Sequence, residues 1–107
     1  MAPDPAILDE LVRRVVDSVH PLRIILFGSA AREEMRQNRD LNTLIVVPDQ
    51  SDCFAVNKIL ARKMRGLRCA VDIVVVRQSD LEQYGDNPYL VLHTALSKGK
   101  EIYRAAS

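Results

Sequence analysis

Three oxygen-bearing side chains stand at or within apolar stretches of this 107-residue sequence. Asp40 and Asn42 are separated by one residue at the start of one apolar run, and Asp72 lies inside another. Because alternate residues of a strand point to the same face, Asp40 and Asn42 are expected to face the same way. If the two runs form neighbouring strands, all three side chains converge, and their oxygens suit a hard cation such as Mg²⁺.

Asp72 leaves two interpretations open. A carboxylate between Val71 and Ile73 is expensive to bury unless it is paired or metal-bound, which favours a functional role. The alternative is a salt bridge to one of the fifteen basic residues, or exposure of Asp72 at the edge of a sheet.

A second candidate site lies where a predicted strand runs into Gly28 and Ser29. Glycine lets the backbone approach a ligand closely, and free N–H groups at the start of a following helix favour an anion. Ser29 adds a hydroxyl donor, while Arg32 and Arg36 lie one helical turn apart and could face the same anion. These residues predict a phosphate site, although a Gly-Ser pair alone is more often only a turn.

Apolar spacing and turn residues predict the elements that must position these side chains. Asp4 and Pro5 predict the N-cap and first position of a helix that ends near His20 and Pro21, because proline cannot continue it. Strands are predicted over residues 23–27, 41–47, 70–76 and 101–104. Further helices are predicted over residues 30–35, 53–65, 81–84 and 87–99.

The helix predicted over residues 53–65 has an apolar and a basic side. Its predicted buried stripe consists of Val56, Ile59, Leu60 and Met64. Gly66 is its expected stop, and Ser79 is the expected cap of the next helix. Basic residues recur at helical spacing at Lys58, Arg62 and Arg65. A solvated face explains them better than an RNA-binding strip, because no aromatic residues are expected beside them.

The order of these elements predicts the fold class. Helices that alternate with short strands indicate one α/β (α+β) domain over residues 1–107, with a small mixed sheet covered on one face by helices. The strand over residues 70–76 is short and very apolar, so it is expected to be internal to the sheet or covered by a partner. A small sheet leaves an edge for pairing, so a homo- or hetero-oligomer is expected.

Composition limits the remaining classes of protein. Hydrophobic residues make up 48% and charged residues 27%, which is typical of a globular domain. A formal net charge of +1 does not favour nucleic acid or membrane as a partner. Cys53 and Cys69 are expected to be reduced thiols. The absence of a signal-peptide pattern and of long apolar runs predicts a soluble, cytoplasmic protein.

Taken together, these motifs resemble the signature of minimal nucleotidyltransferases in the DNA polymerase beta superfamily. The run Leu26-Phe27-Gly28-Ser29, ten intervening residues and then Asp40-Leu41-Asn42 is similar to that family's Gly-Ser, spacer and Asp-x-Asp motif. Val71-Asp72-Ile73-Val74 resembles the strand of the third carboxylate, and residues 99–103 resemble the last strand. The resemblance covers nearly the whole chain and implies the nucleotidyltransferase fold.

The resemblance also implies a mechanism and a set of ligands. The residues that would bind the nucleotide triphosphate are Gly28, Ser29, Arg32 and Arg36. The Mg²⁺ (or Mn²⁺) ligands would be Asp40, Asn42 and Asp72, of which Asp40 and Asp72 would be catalytic. The implied reaction transfers AMP from ATP to the hydroxyl of a protein or another acceptor. Small members of the family are often paired with a helical HEPN-type protein, which implies a role as an antitoxin.

The sequence departs from the family's pattern at three positions. Asn42 stands where the second metal carboxylate is usual, Glu33 where glycine is usual, and Arg39 where a small serine is usual. An amide oxygen can ligate a cation but carries no charge. We therefore expect a weakened metal site. Three hypotheses stay open: an enzyme with reduced activity, an inactive module that binds a partner, and a nucleotide sensor or RNA binder that performs no transfer.

Overall fold

The computed structural model describes residues 4–27, 41–67, 69–84 and 98–106. The elements in these ranges are, in chain order, α1 Pro5–Val19, β1 Arg23–Phe27, β2 Leu41–Val47, α2 Cys53–Lys63, β3 Val71–Arg77, α3 Gln78–Tyr84 and β4 Lys100–Arg104. The helix predicted over residues 30–35 lies outside the described residues, as does nearly all of the helix predicted over residues 87–99. None of the described helices is long and apolar enough to cross a membrane.

Helix α1 begins and ends as the sequence predicts. The Asp4 side chain accepts a hydrogen bond of 2.9 Å from the backbone N–H of Ala6, and Pro5 occupies the first helical position. At the other end, His20 adopts a left-handed conformation with φ 48° and donates its N–H to the carbonyl of Val16. That conformation turns the chain out of the helix just before Pro21.

The described strands form one mixed sheet in the order β3-β2-β1-β4. Strand β1 runs antiparallel to both β2 and β4, whereas β3 runs parallel to β2. The prediction of a small mixed sheet is therefore confirmed. Of the two expectations for the strand over residues 70–76, an internal position is not what the described strands show, because β3 has only β2 as a neighbour among them, and coverage by a partner stays a prediction.

The apolar composition of β3 has a different cause from the one expected. Ile73 and Val75 pack against the core on one face of the sheet, and Val74 and Val76 pack against the cluster on the other face. A strand that contacts apolar groups on both faces reads as a continuous hydrophobic run even at the edge of a sheet. The apolar run of β3 therefore indicates apolar contacts on both faces of the sheet. It does not indicate a second neighbouring strand.

Helices contact both faces of the sheet. On the first face, α1 and α2 bury Leu11, Val15 and Leu60 against strand residues that include Leu41 and Ile45. On the second face, Leu81 of α3 packs with Ile25, Leu44 and Val46. Because strand side chains alternate between faces, each strand supplies both clusters. The expectation of helices on one face was thus incomplete, because α3, although predicted as a helix, packs on the second face.

Helix α2 is two residues shorter than predicted, and its end is held by α1. The guanidinium Nη1 of Arg14 donates to the carbonyl oxygens of Lys63 at 3.0 Å and Arg65 at 2.9 Å. Carbonyl groups in the last turn of a helix have no partner within the helix, so these bonds stabilise its end. Gly66 then takes a φ of 83°, which other residues rarely adopt, and lets the chain turn away as predicted.

Two local predictions about side chains were wrong. Ile59 was expected in the buried stripe of α2, but it is 40% exposed, whereas the next residue, Leu60, is fully buried. Consecutive helical residues are separated by about 100°, and only a narrow stripe of α2 faces the sheet. Ser79 was expected to cap α3, but it lies inside the helix, and its N–H donates to the Asp49 carboxylate at 2.8 Å.

Candidate functional site

Asn42 and Asp72 are brought together by the pairing of β2 with β3. The two residues are register partners in adjacent parallel strands, so their side chains leave the same face of the sheet. That face also carries Leu44 and Val46, and it is opposite to the face covered by α1 and α2. Neighbouring strands lie about 4.8 Å apart, which places the amide and the carboxylate side by side.

Phe27 extends this pair into a row across the sheet. As the last residue of β1, it lies in register with Asn42 on the side of β2 opposite to Asp72. We call these three positions, Phe27, Asn42 and Asp72, the strand row. Phe27 packs against the apolar cluster of the second face, and Asn42 is half-buried beside it. The strand row therefore passes from an apolar side chain through an amide to a carboxylate.

Asp72 is exposed on the edge strand β3. The sequence favoured a functional role for Asp72 because a bare carboxylate is expensive to bury. That reason does not apply to an exposed side chain. Exposure at a sheet edge was the alternative interpretation, and it describes the position of Asp72 correctly. What remains in favour of a functional role is the register of Asp72 with Asn42.

The other predicted site residues lie outside the described part of the chain. They are Gly28, Ser29, Arg32, Arg36 and Asp40, together with the departures Glu33 and Arg39. Gly28 follows Phe27 directly, and Asp40 immediately precedes β2. Across the described ranges, no group of three His, Cys, Asp or Glu side chains is placed to hold a metal ion.

The resolved pKa shifts in the described residues come from ion pairs on α1 and β4. Hydrogen bonds from Arg13 and Arg14 lower the pKa of Glu10 on α1. On β4, a hydrogen bond from Arg104 lowers the pKa of Glu101, and the nearby Arg23 adds to the effect. The Nε of Arg104 lies 2.6 Å from a Glu101 carboxylate oxygen. These pairs join residues away from the strand row and indicate structural roles.

Sequence reasoning missed one surface on α2. Phe54 is 70% exposed, and the ammonium nitrogen of Lys58 lies 4.6 Å from the centre of its ring. The expectation that no aromatic residue accompanies the basic residues was therefore wrong. The spacing of four residues between Phe54 and Lys58 was a usable signal, because residues four apart are neighbours on a helix.

Comparisons with known proteins identify the fold. No family profile matches the sequence, and no curated protein matches it. A solved toxin-antitoxin structure with AMP-PNP superimposes with a TM-score of 0.68 at 18% identity, over 92% of this chain and 73% of that chain. A mutant of the toxin-antitoxin MntA-HpeT gives a TM-score of 0.66 at 17% identity, with the same coverages of 92% and 73%.

A further similarity is to an adenyltransferase. The structure of spectinomycin adenyltransferase AAD(9) from Enterococcus faecialis with ATP and spectinomycin gives a TM-score of 0.65 at 16% identity. The match covers 97% of this chain and 58% of that chain. Identities this low establish similarity of fold alone. This chain has the nucleotidyltransferase fold, which confirms the fold implied by its sequence motifs.

Proposed function

We propose that this protein is a nucleotidyltransferase-type protein that transfers AMP from ATP to a hydroxyl group of a protein or another acceptor. The observation that carries the proposal is the strand row, in which Asn42 is in register with both Phe27 and Asp72. The row lies where the chain leaves β1 toward Gly28 and enters β2 from Asp40. Structures of the same fold contain AMP-PNP or ATP, which supports a nucleotide as the substrate.

Chain connectivity supports the roles of the residues that flank the strand row. Consecutive Cα atoms are about 3.8 Å apart, so Gly28 is one such step from Phe27, and Asp40 is two steps from Asn42. We assign binding of the triphosphate to Gly28, Ser29, Arg32 and Arg36. Their N–H, hydroxyl and guanidinium groups are the donors that phosphate oxygens require.

The oxygen donors of the row fit a divalent cation, although with less charge than a carboxylate pair supplies. Asp72 offers a carboxylate and Asn42 a neutral amide oxygen, and we assign Asp40 as the further ligand. Mg²⁺ or Mn²⁺, when bound, would offset the charge of the phosphate oxygens. Because even indirect losses at metal sites cost about 10–100-fold, we expect Asn42 to lower activity by at least that factor.

The proposed reaction balances with the groups named. The acceptor's hydroxyl oxygen forms a bond to the α-phosphorus of ATP, and the bond from that phosphorus to the oxygen that bridges to the β-phosphate breaks. Pyrophosphate leaves with that electron pair, and Asp72 accepts the hydroxyl proton as a general base. The exposure of Asp72 leaves room for an acceptor as large as a protein.

We also propose that the acceptor or partner is a small helical protein of the HEPN type, with this chain as its antitoxin. Support comes from the two neighbours that are toxin-antitoxin structures. A second candidate function is a module that binds its partner or a nucleotide without transfer. Asn42 favours it, because a neutral ligand between Phe27 and Asp72 reduces the charge available to a metal pair.

Transfer of labelled AMP tests the proposal. The protein is incubated with α-labelled ATP, Mg²⁺ or Mn²⁺, and the protein encoded by the adjacent gene. We expect label on the acceptor from the wild type and at least about 100-fold less from Asp40→Ala or Asp72→Ala. Asp9→Ala is the matched control, because Asp9 is exposed on α1, which covers the other face of the sheet. Equal labelling by the wild type and both site variants would reject the assigned residues.

A further inference from the structure

We propose that the exposed side of α2 is a docking surface for an acidic helix of a partner protein. The surface consists of Phe54, Lys58, Ile59 and Arg62, which we call the α2 strip. This proposal does not rest on nucleotide transfer, because α2 covers the face of the sheet opposite to the strand row.

The apolar side chains of the α2 strip are unusually exposed to solvent for this molecule. Phe54 and Ile59, which are 70% and 40% exposed, are the exposed large hydrophobic residues of the described ranges, and both lie on α2. Leu60 on the same helix is fully buried, so α2 already contributes to the core through another side. Exposed apolar side chains with charged neighbours mark interaction sites more often than isolated ones do.

The charge around the α2 strip is positive and unbalanced. Helix α2 carries three basic and no acidic side chains over Cys53–Lys63, and the Asp52 carboxylate that precedes it accepts hydrogen bonds from the first backbone N–H groups of the helix. On α1, by contrast, Arg13 and Arg14 both pair with Glu10. None of the ion pairs among the described residues involves Lys58 or Arg62. Carboxylates from another molecule would complement this surface.

The geometry fits a helix better than it fits a nucleic acid. Phe54, Lys58 and Arg62 recur every four residues, about 6 Å apart along the helix, which matches carboxylates spaced four apart on a second helix. The ring of Phe54 already has Lys58 over one side, which leaves less of it for stacking a base.

A synthetic peptide can serve as the probe. We would use an 18-residue helical peptide with leucine along one face and glutamate on both flanks, and a matched peptide with glutamine in place of glutamate. Binding to the full chain without ATP is measured by fluorescence anisotropy, at concentrations where the peptide is monomeric. The glutamate peptide is expected to bind at least about tenfold more tightly than the glutamine peptide, and less tightly as salt is raised.

Two variants and a control locate the binding surface. Phe54→Ser and Lys58→Glu should each weaken binding of the glutamate peptide by about tenfold or more. Lys100→Glu makes the same charge change at an exposed position on β4 and should leave binding unchanged. Thermal melts check folding, which both strip variants should preserve because their side chains are exposed.

Four outcomes would overturn the proposal. One is that neither peptide binds, and another is that Lys100→Glu weakens binding as much as Lys58→Glu does. A third is that a single-stranded RNA binds through Phe54 and Lys58 while the glutamate peptide does not, which would assign the surface to nucleic acid. The last is self-association in sedimentation that Phe54→Ser abolishes, which would assign the surface to a second copy of this chain.

Discussion

The two faces of the sheet differ in what covers them and in what they expose. On one face, α1 and α2 bury Leu11 and Leu60 completely in the larger core. On the other face, α3 adds Leu81 to a cluster that is smaller among the described residues, and the strand row lies on the same side. Because side chains of a strand alternate, each strand supplies apolar residues to both faces, and Asn42 and Asp72 are polar positions of the second face. We therefore expect substitutions at these two positions to affect the proposed transfer more than the stability of the fold.

The largest expected effect on stability comes from the face covered by α1 and α2. Leu60→Ala removes a fully buried side chain and should lower the free energy of unfolding by about 2–5 kcal/mol. Leu81→Ala in the smaller cluster should lower the free energy of unfolding by about 2 kcal/mol, near the lower end of that range. Urea unfolding measures both. A larger loss for Leu81→Ala would contradict the view that the second face is the less deeply packed one.

The strand row should show the opposite behaviour. Asp72→Ala is expected to reduce AMP transfer by about 100-fold or more, because the proposal gives Asp72 both a ligand and a base role. Its free energy of unfolding should change by less than about 1 kcal/mol, because the side chain is exposed and contacts at the surface contribute little to stability. Transfer assays and urea unfolding on the same preparation test the pair of effects. A large loss of stability would mean that Asp72 supports the fold.

The contact between α1 and α2 gives a smaller effect on stability. Arg14→Ala removes the hydrogen bonds to the carbonyl groups of Lys63 and Arg65 and should cost about 1–2 kcal/mol. Arg13→Ala is the matched control, because Arg13 also pairs with Glu10 but is more exposed, and its loss should lower the free energy of unfolding by less than the loss of Arg14 does. Equal losses in urea unfolding would show that the contact with α2 contributes nothing beyond the ion pair.

The smallest expected effect concerns Glu101 on β4. Arg104 and Arg23 lower the pKa of this carboxyl below its ordinary value of 4.5, so its ion pairs stabilise the folded protein above that pH. The stability is lost as pH falls through the lowered pKa. Glu101→Gln should therefore cost less than about 1 kcal/mol at pH 7, and the difference from the wild type should shrink below pH 4.5.

A charge-matched variant separates the ion pairs of Glu101 from the general effect of removing a negative charge. Glu82→Gln makes the same change at an exposed position of α3, where no ion pair is found among the described residues. Its effect on unfolding should be close to zero at pH 7. If the difference in free energy of unfolding between Glu101→Gln and the wild type stays constant from pH 7 to pH 3, the ion pairs of Glu101 do not stabilise the fold as proposed.

Local sequence signals predicted the elements of this fold better than their arrangement. The bounds of β1 and β2 match the prediction, and Asp4 caps α1 as expected, because each depends on neighbouring residues in the chain. The edge position of β3 follows because β4 pairs with β1 and not with β3. That pairing is decided by contacts between residues far apart in the chain. The apolar run of β3 could not distinguish a second strand neighbour from coverage of both faces.

The candidate site was predicted in part for the same reason. That Asn42 and Asp72 meet depended only on β2 and β3 being neighbours, which the structure confirms. The exposure of Asp72 could not be read from its apolar neighbours, because it follows from the edge position of β3. On α2, the exposure of Phe54 was missed because an apolar side chain is ordinarily expected to be buried, although its spacing of four residues from Lys58 was a usable signal.

The most direct test of the central claim is the initial rate of AMP transfer by the wild type and by Asn42→Asp. Both are measured over a range of Mg²⁺ concentrations with the same labelled ATP and acceptor. We predict measurable transfer by the wild type and a rate at least about tenfold higher for Asn42→Asp, because a second carboxylate beside Asp72 would restore charge to the proposed metal site. No transfer by the wild type, with transfer appearing only in Asn42→Asp, would contradict the claim and identify a decayed site.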